Sequence, residues 1–379
     1  MSAGTLQADK PPGLIRSTPA RIEWSAATVS VPLNMAIGQP VVNAYINEQG
    51  PFKLLLDTGS PVTKLDDDVV KGLGLSTGRR VVRRAEGETP QEEADAAAVS
   101  ALALGGAKFV DFDVIVRDYD AVFEKERLYD GAVGLPMFVD VLLTLDYPAG
   151  LATVSRGELP PADGASILDY QPTDGIARLR LMFSGLAVDT VIDSGRACAL
   201  VLAESLRRQV RVTTKPAERG PLAGDLGIEM APLRGSVRLG RYQLHEPPVY
   251  FLGTDSAFGH RVLANFAVSF DQKHHRVRFD RAGDEVIRFA PDAGFGIIVG
   301  MRRGRLIIQR VLPDSPAERN GLLAGDAIRD VNGHSAFEYD EGSLTRILAT
   351  TTVVDLGVER NGLPLIVRLE KDVDETEDE

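Results

Sequence analysis

Two acidic motifs carry the residues best suited to catalysis. DTGS occupies positions 57 to 60, and DSGR occupies positions 193 to 196. Apolar residues precede both aspartates, so each carboxylate is predicted to follow a buried strand. Two carboxylates that lie close together cannot both ionise readily, and one can act as a general acid while the other acts as a general base. Asp57 and Asp193 are therefore the predicted catalytic pair.

The residues after each aspartate suit a sharp turn. Thr58 and Ser194 place a hydroxyl at the same offset, and Gly59 and Gly195 come next. Because glycine has no Cβ, the chain can bend sharply behind each carboxylate. Ordinary turn chemistry would explain the same residues, and it is compatible with catalysis.

An internal repeat relates the two motifs, which lie 136 residues apart. Three blocks recur in the same order in both halves, and each predicts short strands around a turn. We predict two mainly β lobes that face each other across a pseudo-two-fold axis. Hairpin flaps that close over a substrate are predicted at 83–91 and 218–227. The paired blocks are 41–60 with 177–196, 100–116 with 235–252, and 131–154 with 261–279.

The motifs and the repeat resemble those of the retropepsin-like and pepsin-like aspartic proteases, over roughly residues 27 to 281. A later apolar-glycine element, Val133 and Gly134, belongs to the resemblance, and Leu263 and Ala264 are its match in the second half. The resemblance implies two acid-protease β-barrel lobes. It also implies that the two aspartates activate a water for attack on a peptide carbonyl.

The same resemblance implies supporting roles for the residues around the pair. Thr58 and Ser194 would brace the two loops through hydrogen bonds across the axis. The amides of Gly59 and Gly195 would face the carboxylates. The hydroxyl of Ser60 would hydrogen-bond the carboxylate beside it.

Two departures from the family pattern lie in the second half. Arg196 stands where a small residue is usual, and a cation there favours the ionised form of Asp193. Ala264 stands where the first half has Gly134, which would tighten the backbone behind the second site. Both departures make loss of activity an alternative.

The C-terminal part of the chain follows a different pattern. GFGI at 294 to 297 opens an apolar strand, and SPAERNGLLAGDAIRDVNG follows at 315 to 333. This string resembles a PDZ domain, over about residues 290 to 371. Such domains bind a peptide, usually a C-terminus, as an added strand. The resemblance implies a peptide site formed by Gly294, Phe295, Gly296, Ile297, Leu344 and Leu348.

The predicted architecture is therefore mainly β, with two tandem lobes followed by an α+β PDZ domain. The last residues, DVDETEDE, form an acidic tail typical of disorder. The predicted units are an N-terminal arm at 1–24, a first lobe at 25–157, a second lobe at 158–288, the PDZ domain at 289–371 and the tail at 372–379.

Three hypotheses for the function stay open on these residues. The leading one is an aspartic endopeptidase that acts on protein or peptide substrates, with a PDZ domain that binds substrate or partner peptides. The second is a catalytically inactive scaffold that keeps both folds. The third is a domain-swapped homodimer of lobes. A PDZ fold used only for packing or dimerisation is a further alternative.

Other functions are disfavoured by composition and spacing. The formal net charge of -12 opposes nucleic-acid binding, which depends on Lys and Arg contacts to phosphate. The single cysteine, Cys198, excludes an intrachain disulfide and is expected to be buried. His274 and His275 are predicted on a strand, where successive side chains diverge, so no metal or other cofactor is predicted.

The sequence does not indicate the cellular compartment of the protein. The first 20 residues lack the apolar core of a signal peptide, and no run is long enough for a membrane span. The compartment stays open, since a periplasmic or extracellular location would need a leader that has been removed.

Overall fold

The structure, a computed structural model, describes most of the chain. No helix in the described part is long and apolar enough to cross a membrane. The segments 83–91 and 218–227, where flaps are predicted, lie outside it. The described residues are 13–35, 39–82, 92–119, 128–213, 230–289, 295–302, 305–311, 315–338, 344, 347–348 and 351–371.

The described part of the first half consists of strands, one short α-helix, α1 (Asp67–Gly72), and a 3-10 helix over Leu135–Phe138. Helix α1 begins where the Asp66 side chain accepts a hydrogen bond from the Asp68 amide, as an N-cap does. The described strands are β1 (Gly13–Leu14), β2 (Arg21–Trp24), β3 (Thr28–Pro32), β4 (Val41–Ile46), β5 (Gln49–Asp57), β6 (Lys64–Asp66), β7 (Thr77–Val82), β8 (Glu92–Leu104), β9 (Ala107–Arg117), β10 (Gly131–Gly134), β11 (Leu142–Asp146) and β12 (Leu151–Ser155).

Six of these strands close into a barrel. They follow the order β8, β4, β5, β10, β6 and β9, and β9 pairs back with β8. The hairpin of β4 and β5 enters the first acidic motif, as the sequence predicts. Strands β1 and β2, which fall within the predicted N-terminal arm, extend this sheet through β7 and β9.

The second half also consists of short strands, with a one-turn helix, α2 (His260–Leu263). Its hairpin of β15 and β16 enters the second acidic motif, again as predicted. The described strands are β13 (Ile167–Asp169), β14 (Gln171–Thr173), β15 (Ile176–Phe183), β16 (Leu186–Ile192), β17 (Leu200–Leu202), β18 (Met230–Pro232), β19 (Ser236–Leu239), β20 (Tyr242–His245), β21 (Pro248–Phe251), β22 (Ser256–Phe258), β23 (Ala267–Asp271), β24 (Arg276–Asp280) and β25 (Val286–Arg288).

The two halves repeat one order of strand pairing. The order β4, β5, β10, β6, β9 recurs as β15, β16, β22, β17, β21. The central pairings also agree in direction, because β10 runs parallel to β5 as β22 does to β16. In the described part of the second half, β19 and β20 form a separate sheet with β25, so a barrel-closing hairpin is described in the first half alone. The symmetry of the two lobes stays a prediction.

A six-stranded sheet, in the order β13, β24, β23, β11, β12, β3, joins the two halves. At its centre β11 pairs antiparallel with β23, and Thr144 stands opposite Ser269 with their hydroxyl oxygens 2.8 Å apart. Leu142 faces Asp271, and Asp146 faces Ala267, so the pairing is symmetric about that central pair. A two-fold relation between the halves would produce such pairing, and the axis itself stays a prediction.

Strand register corrects one match drawn from the sequence. Gly134 pairs with Asp57, and Phe258 pairs with Ile192, so the residue beside Asp193 is Gly259. A Cβ at Gly134 would lie 2.6 Å from the Val62 carbonyl oxygen. A Cβ at Gly259 would lie 2.4 Å from the carbonyl oxygen of Arg196. The second half thus keeps its glycine at position 259, and Ala264 is not its replacement.

The C-terminal domain has its own sheet, in the order β26, β27, β28, β30, β31, with β29 beside β28. Its apolar core is separate from the single core that runs through both halves of the preceding region. The domain boundaries stay predictions. The described elements are β26 (Ile297–Arg302), β27 (Arg305–Val311), α3 (Pro316–Arg319), β28 (Ala327–Val331), β29 (His334–Ser335), β30 (Val353–Arg360) and β31 (Leu363–Glu370).

We expect Gly259→Ala to destabilise the protein by about 1–3 kcal/mol, because its Cβ has no room against backbone carbonyls. Gly72→Ala is the matched control, since no atom lies within 4 Å of a Cβ at that position. Urea unfolding measures both. Ala264→Gly tests the corrected match, and a gain in stability in that variant would contradict it.

Candidate active site

The two predicted catalytic aspartates end equivalent strands. Asp57 is the last residue of β5, and Asp193 directly follows β16. Leu56 and Ile192, which precede them, are fully buried in the shared core. Each carboxylate therefore stands where a buried strand reaches the junction between the halves. Asp57 is half-buried, and Asp193 is 8% exposed.

Reciprocal hydrogen bonds connect the two acidic loops. The Thr58 amide donates to Oγ of Ser194 at 2.9 Å, and the Ser194 amide donates to Oγ1 of Thr58 at 3.0 Å. Each hydroxyl in turn donates to a carbonyl of the opposite strand, Thr58 to Ile192 at 2.7 Å and Ser194 to Leu56 at 2.6 Å. Both side chains are buried, so these four bonds fix the loops with respect to each other.

The glycines of the motifs allow the carboxylates to approach the opposite loop. A Cβ at Gly59 would lie 2.4 Å from Cγ of Asp193, and a Cβ at Gly195 would lie 2.6 Å from Oδ1 of Asp57. Any side chain at either position would displace a carboxylate. The Gly59 amide also donates to Oδ1 of Asp57 at 3.1 Å. The structure thus brings both aspartates into one small space.

Ser60 and Gln39 differ from the sequence-based expectation. The Ser60 hydroxyl donates to the Val62 carbonyl at 2.8 Å rather than to the carboxylate of Asp57, so it stabilises the turn. Gln39 was not predicted to take part, yet its side-chain amide donates to the Gly195 carbonyl. Gln39 lies before β4 in the first half, and nothing in its sequence context marks a contact across the halves.

The two carboxylates have different electrostatic surroundings. Burial, and next the charge of Asp193, raise the pKa of Asp57 to about 7. Burial also raises the pKa of Asp193, but Arg196 opposes this rise through its charge and a hydrogen bond. Nε of Arg196 lies 2.7 Å from Oδ2 of Asp193. The ion pair with Arg196 favours the ionised form of Asp193 over that of Asp57, and the two acids titrate as a coupled pair.

A lysine that sequence reasoning did not single out also acts on the pair. Lys64 is half-buried, and its charge lowers the pKa of both Asp57 and Asp193. Its position seven residues after Asp57, at the start of a strand beside β10, is the only signal that the sequence offers.

The predicted peptide site of the C-terminal domain is described in part. Phe295 is buried, and Gly296 has a φ of +78°, with Ser315 so close that a Cβ would lie 2.0 Å from it. Ile297 begins β26. Leu344 and Leu348 are both buried in the core of this domain. Gly294 lies outside the described residues.

The remaining candidate groups do not join the site. Cys198 is buried as predicted, and burial raises the pKa of its thiol to about 12. The prediction that His274 and His275 lie on a strand is wrong, because they occupy the turn between β23 and β24. His274 contacts Asp271, with Nδ1 2.9 Å from Oδ2, while the ring of His275 packs on Tyr170.

Comparison with known proteins agrees with the sequence motifs. Residues 42–146 match the family model described as aspartyl protease, and residues 285–359 match the model of the PDZ domain. The chain thus carries an aspartyl protease domain followed by a PDZ domain. The chain is also similar to the crystal structure of the HtrA3 PDZ domain bound to a phage-derived ligand (FGRWV), with 25% sequence identity and a TM-score of 0.19. The match covers 21% of this chain and 83% of the HtrA3 chain. No curated protein matches the chain.

The raised pKa of Asp57 predicts a pH-dependent gain in stability for Asp57→Asn. Folding favours the protonated acid, so the native state loses stability as the pH rises from about 4 to about 7. The difference in the free energy of unfolding between the variant and the native chain should be on the order of 2 kcal/mol more favourable to the variant at pH 8 than at pH 5. Urea unfolding at both pH values measures the difference.

Asp189→Asn is the control for this effect. Asp189 is exposed in the strand that leads to Asp193, and its hydrogen bond with Arg180 lowers its pKa. That variant should show no gain at pH 8. An Asp57→Asn variant with the same stability difference at both pH values would show that Asp57 titrates as an ordinary surface aspartate.

Proposed function

We propose that the protein is an aspartic endopeptidase that hydrolyses peptide bonds by a water activated between Asp57 and Asp193. The observation that supports it most is the approach of each carboxylate to the glycine of the opposite motif. Two buried acids at such close range share a proton, which a general acid-base pair requires. The aspartyl protease match at 42–146 covers the first of the two motifs.

The asymmetry of the pair assigns a role to each acid in this proposal. Asp193, kept ionised by Arg196, takes a proton from the water as its oxygen forms a bond to the peptide carbonyl carbon. Asp57, which is protonated, donates to the carbonyl oxygen. The proton held by Asp193 then passes to the leaving nitrogen as the carbon-nitrogen bond breaks. One hydroxyl of the tetrahedral diol returns its proton to Asp57 as the carboxylic acid product forms, and the pair is back in its starting state.

The supporting residues keep the pair in place for this reaction. Thr58 and Ser194 fix the loops, and Gly59 and Gly195 leave room for the carboxylates. Such groups act through position, because a catalytic pair must be held to within fractions of an ångström.

We assign peptide binding to the PDZ domain by the same proposal. A peptide C-terminus would add as a strand beside β26, with its carboxylate at the amides of Phe295, Gly296 and Ile297. The tight backbone at Gly296 suits a loop that presents successive amides. A PDZ domain attached to a protease can recruit a protein substrate or a partner.

The ion pair of Arg196 and Asp193 also supports a second function. In this ion pair Arg196, which is half-buried, contacts Oδ2 of Asp193, the carboxylate that must accept a proton from the water in the proposed mechanism. If the pair does not open or rearrange when a peptide binds, the protein is a peptide-binding scaffold without turnover. Peptide affinity without cleavage between acidic and neutral pH would identify this function.

Asp57→Asn and Asp193→Asn are each expected to lower peptide cleavage by about 10²-fold or more, because each removes one acid-base partner. Proteome-derived peptides incubated with the full chain across pH, and analysed by mass spectrometry, measure this loss. Asp189→Asn is the control that should cleave normally, since its side chain is exposed and paired with Arg180. Cleavage that survives in both active-site variants would rule out the mechanism.

Arg196→Ala should move the acidic limb of the pH-activity profile upward by about 1–3 pH units. The guanidinium lowers the pKa of Asp193, so without it this acid becomes protonated, and inactive as a base, at higher pH. Arg207→Ala is the matched control, because Arg207 forms an i,i+3 ion pair with exposed Glu204 in the same half. An unchanged acidic limb would show that Arg196 does not set the ionisation of Asp193.

A further inference from the structure

One face of the first-half sheet carries a cation beside the catalytic pair. Leu54 and Leu56 belong to the core, so Leu55 and Asp57 point to the opposite face of β5. Ala132 of β10 stands beside Leu55, and Lys64 of β6 stands opposite Ala132. Lys64 and Asp57 therefore share one face. They lie two strand spacings apart across the sheet and two residues apart along it, which is about 12 Å between Cα atoms.

The surroundings of this face are apolar. Val41, Leu55 and Ala132 form a buried cluster, and Tyr129 packs against it. Burial, and then the charge of Asp57, raise the pKa of Tyr129 to about 12. A low-polarity wall strengthens any electrostatic interaction made in front of it.

Lys64 forms no direct contact with an acid among the described residues, although its charge acts on Asp57 and Asp193. Within the described part of the chain its ammonium makes no hydrogen bond and no ion pair, whereas Lys71 on the adjacent helix lies 2.6 Å from Asp67. The nearest acid along its own strand, Asp66, accepts hydrogen bonds from the amides of Asp68 and Tyr119. Asp57 and Asp193 act on this ammonium only from a distance, so an anion in direct contact with it would restore solvation that burial removes.

The second half shows that the repeated fold does not require this lysine. The residue seven positions after Asp193 is Leu200, which is fully buried. Arg196 is a cation of the second half, and its counterpart in the first half, three positions after Asp57, is the uncharged Ser60. Each half thus contributes one cation near the pair, and Arg196 is already engaged with Asp193.

We propose that Lys64 makes the cleft select peptides that carry an aspartate or glutamate close to the scissile bond. This rests on the proposed endopeptidase function. An extended peptide rises about 3.3 Å per residue, so a span of about 12 Å, shortened by the length of the lysine side chain, places the acidic residue within about three positions of the bond that is cut. The substrate carboxylate accepts a charge-assisted hydrogen bond from the ammonium.

Matched peptides test the selection with the full chain. A cleaved peptide is synthesised with Glu, Gln or Lys at each of the three positions on either side of its scissile bond. At one position the native chain should cleave the Glu peptide with a kcat/KM about tenfold to a hundredfold above that of the Gln peptide. Lys64→Met should bring this ratio close to one, and Lys64→Glu should favour the Lys peptide.

Two controls separate selection from other effects of the lysine. Lys71→Met removes an exposed lysine that pairs with Asp67, and it should keep the Glu preference. Thermal unfolding shows whether the Lys64 variants remain folded. If Lys64→Met lowers kcat/KM equally for Glu and Gln peptides, then Lys64 acts on the catalytic pair alone and the inference is wrong.

The experiment also distinguishes this inference from the function on which it rests. Cleavage that depends on Asp57 but shows equal kcat/KM for Glu and Gln peptides at every position overturns the selection and leaves the endopeptidase intact. An absence of any cleavage that depends on Asp57 overturns both.

Discussion

The site depends on one constraint, which is that two carboxylates must be held together away from water. Burial raises the pKa of both acids and so works against their charged forms. The carboxylates stay buried despite this because four hydrogen bonds through Thr58 and Ser194 fix the two loops. These bonds join equivalent atoms of the two motifs. Without them each acid could turn toward solvent and ionise as an ordinary aspartate. The raised pKa of Asp57 is thus a consequence of that fixed geometry.

Asymmetry within this repeated frame gives the site its chemistry. Identical surroundings would leave the shared proton equally divided, but Arg196 lies against Asp193 and has only Ser60 as its counterpart. In the proposed mechanism this ion pair gives the two acids different roles before a substrate binds. Lys64 is a second difference between the halves. It places a positive charge in the first half, whereas its counterpart in the second half is the apolar Leu200. The matching strand order of the two halves brings the aspartates together, and the cations Arg196 and Lys64, each present in one half, give the two acids different surroundings.

The sequence predicts both hairpins that lead to the aspartates, because apolar runs and glycine turns are local signals. The hydrogen bonds of Thr58 and Ser194 between the loops were implied by the family resemblance, and the catalytic role of the two aspartates stays a prediction. The glycine beside Asp193 was mismatched because Ala264 follows an apolar residue as Gly134 does, whereas Gly259 is identified by strand register alone. Long-range contacts also escaped prediction. Gln39 reaches the Gly195 carbonyl across 156 residues of sequence, and no local pattern encodes that distance.

The shared sheet determines how far the halves can act separately. β11 of the first half pairs with β23 of the second within one chain, and the central hydroxyls of Thr144 and Ser269 lie 2.8 Å apart. One apolar core also continues through both halves. Separating them would break a strand pairing and open that core, which costs far more than dissociating a small interface. A domain-swapped homodimer is therefore unnecessary to bring the two aspartates together. The geometry of the pair is then a property of the folded chain and should not depend on protein concentration.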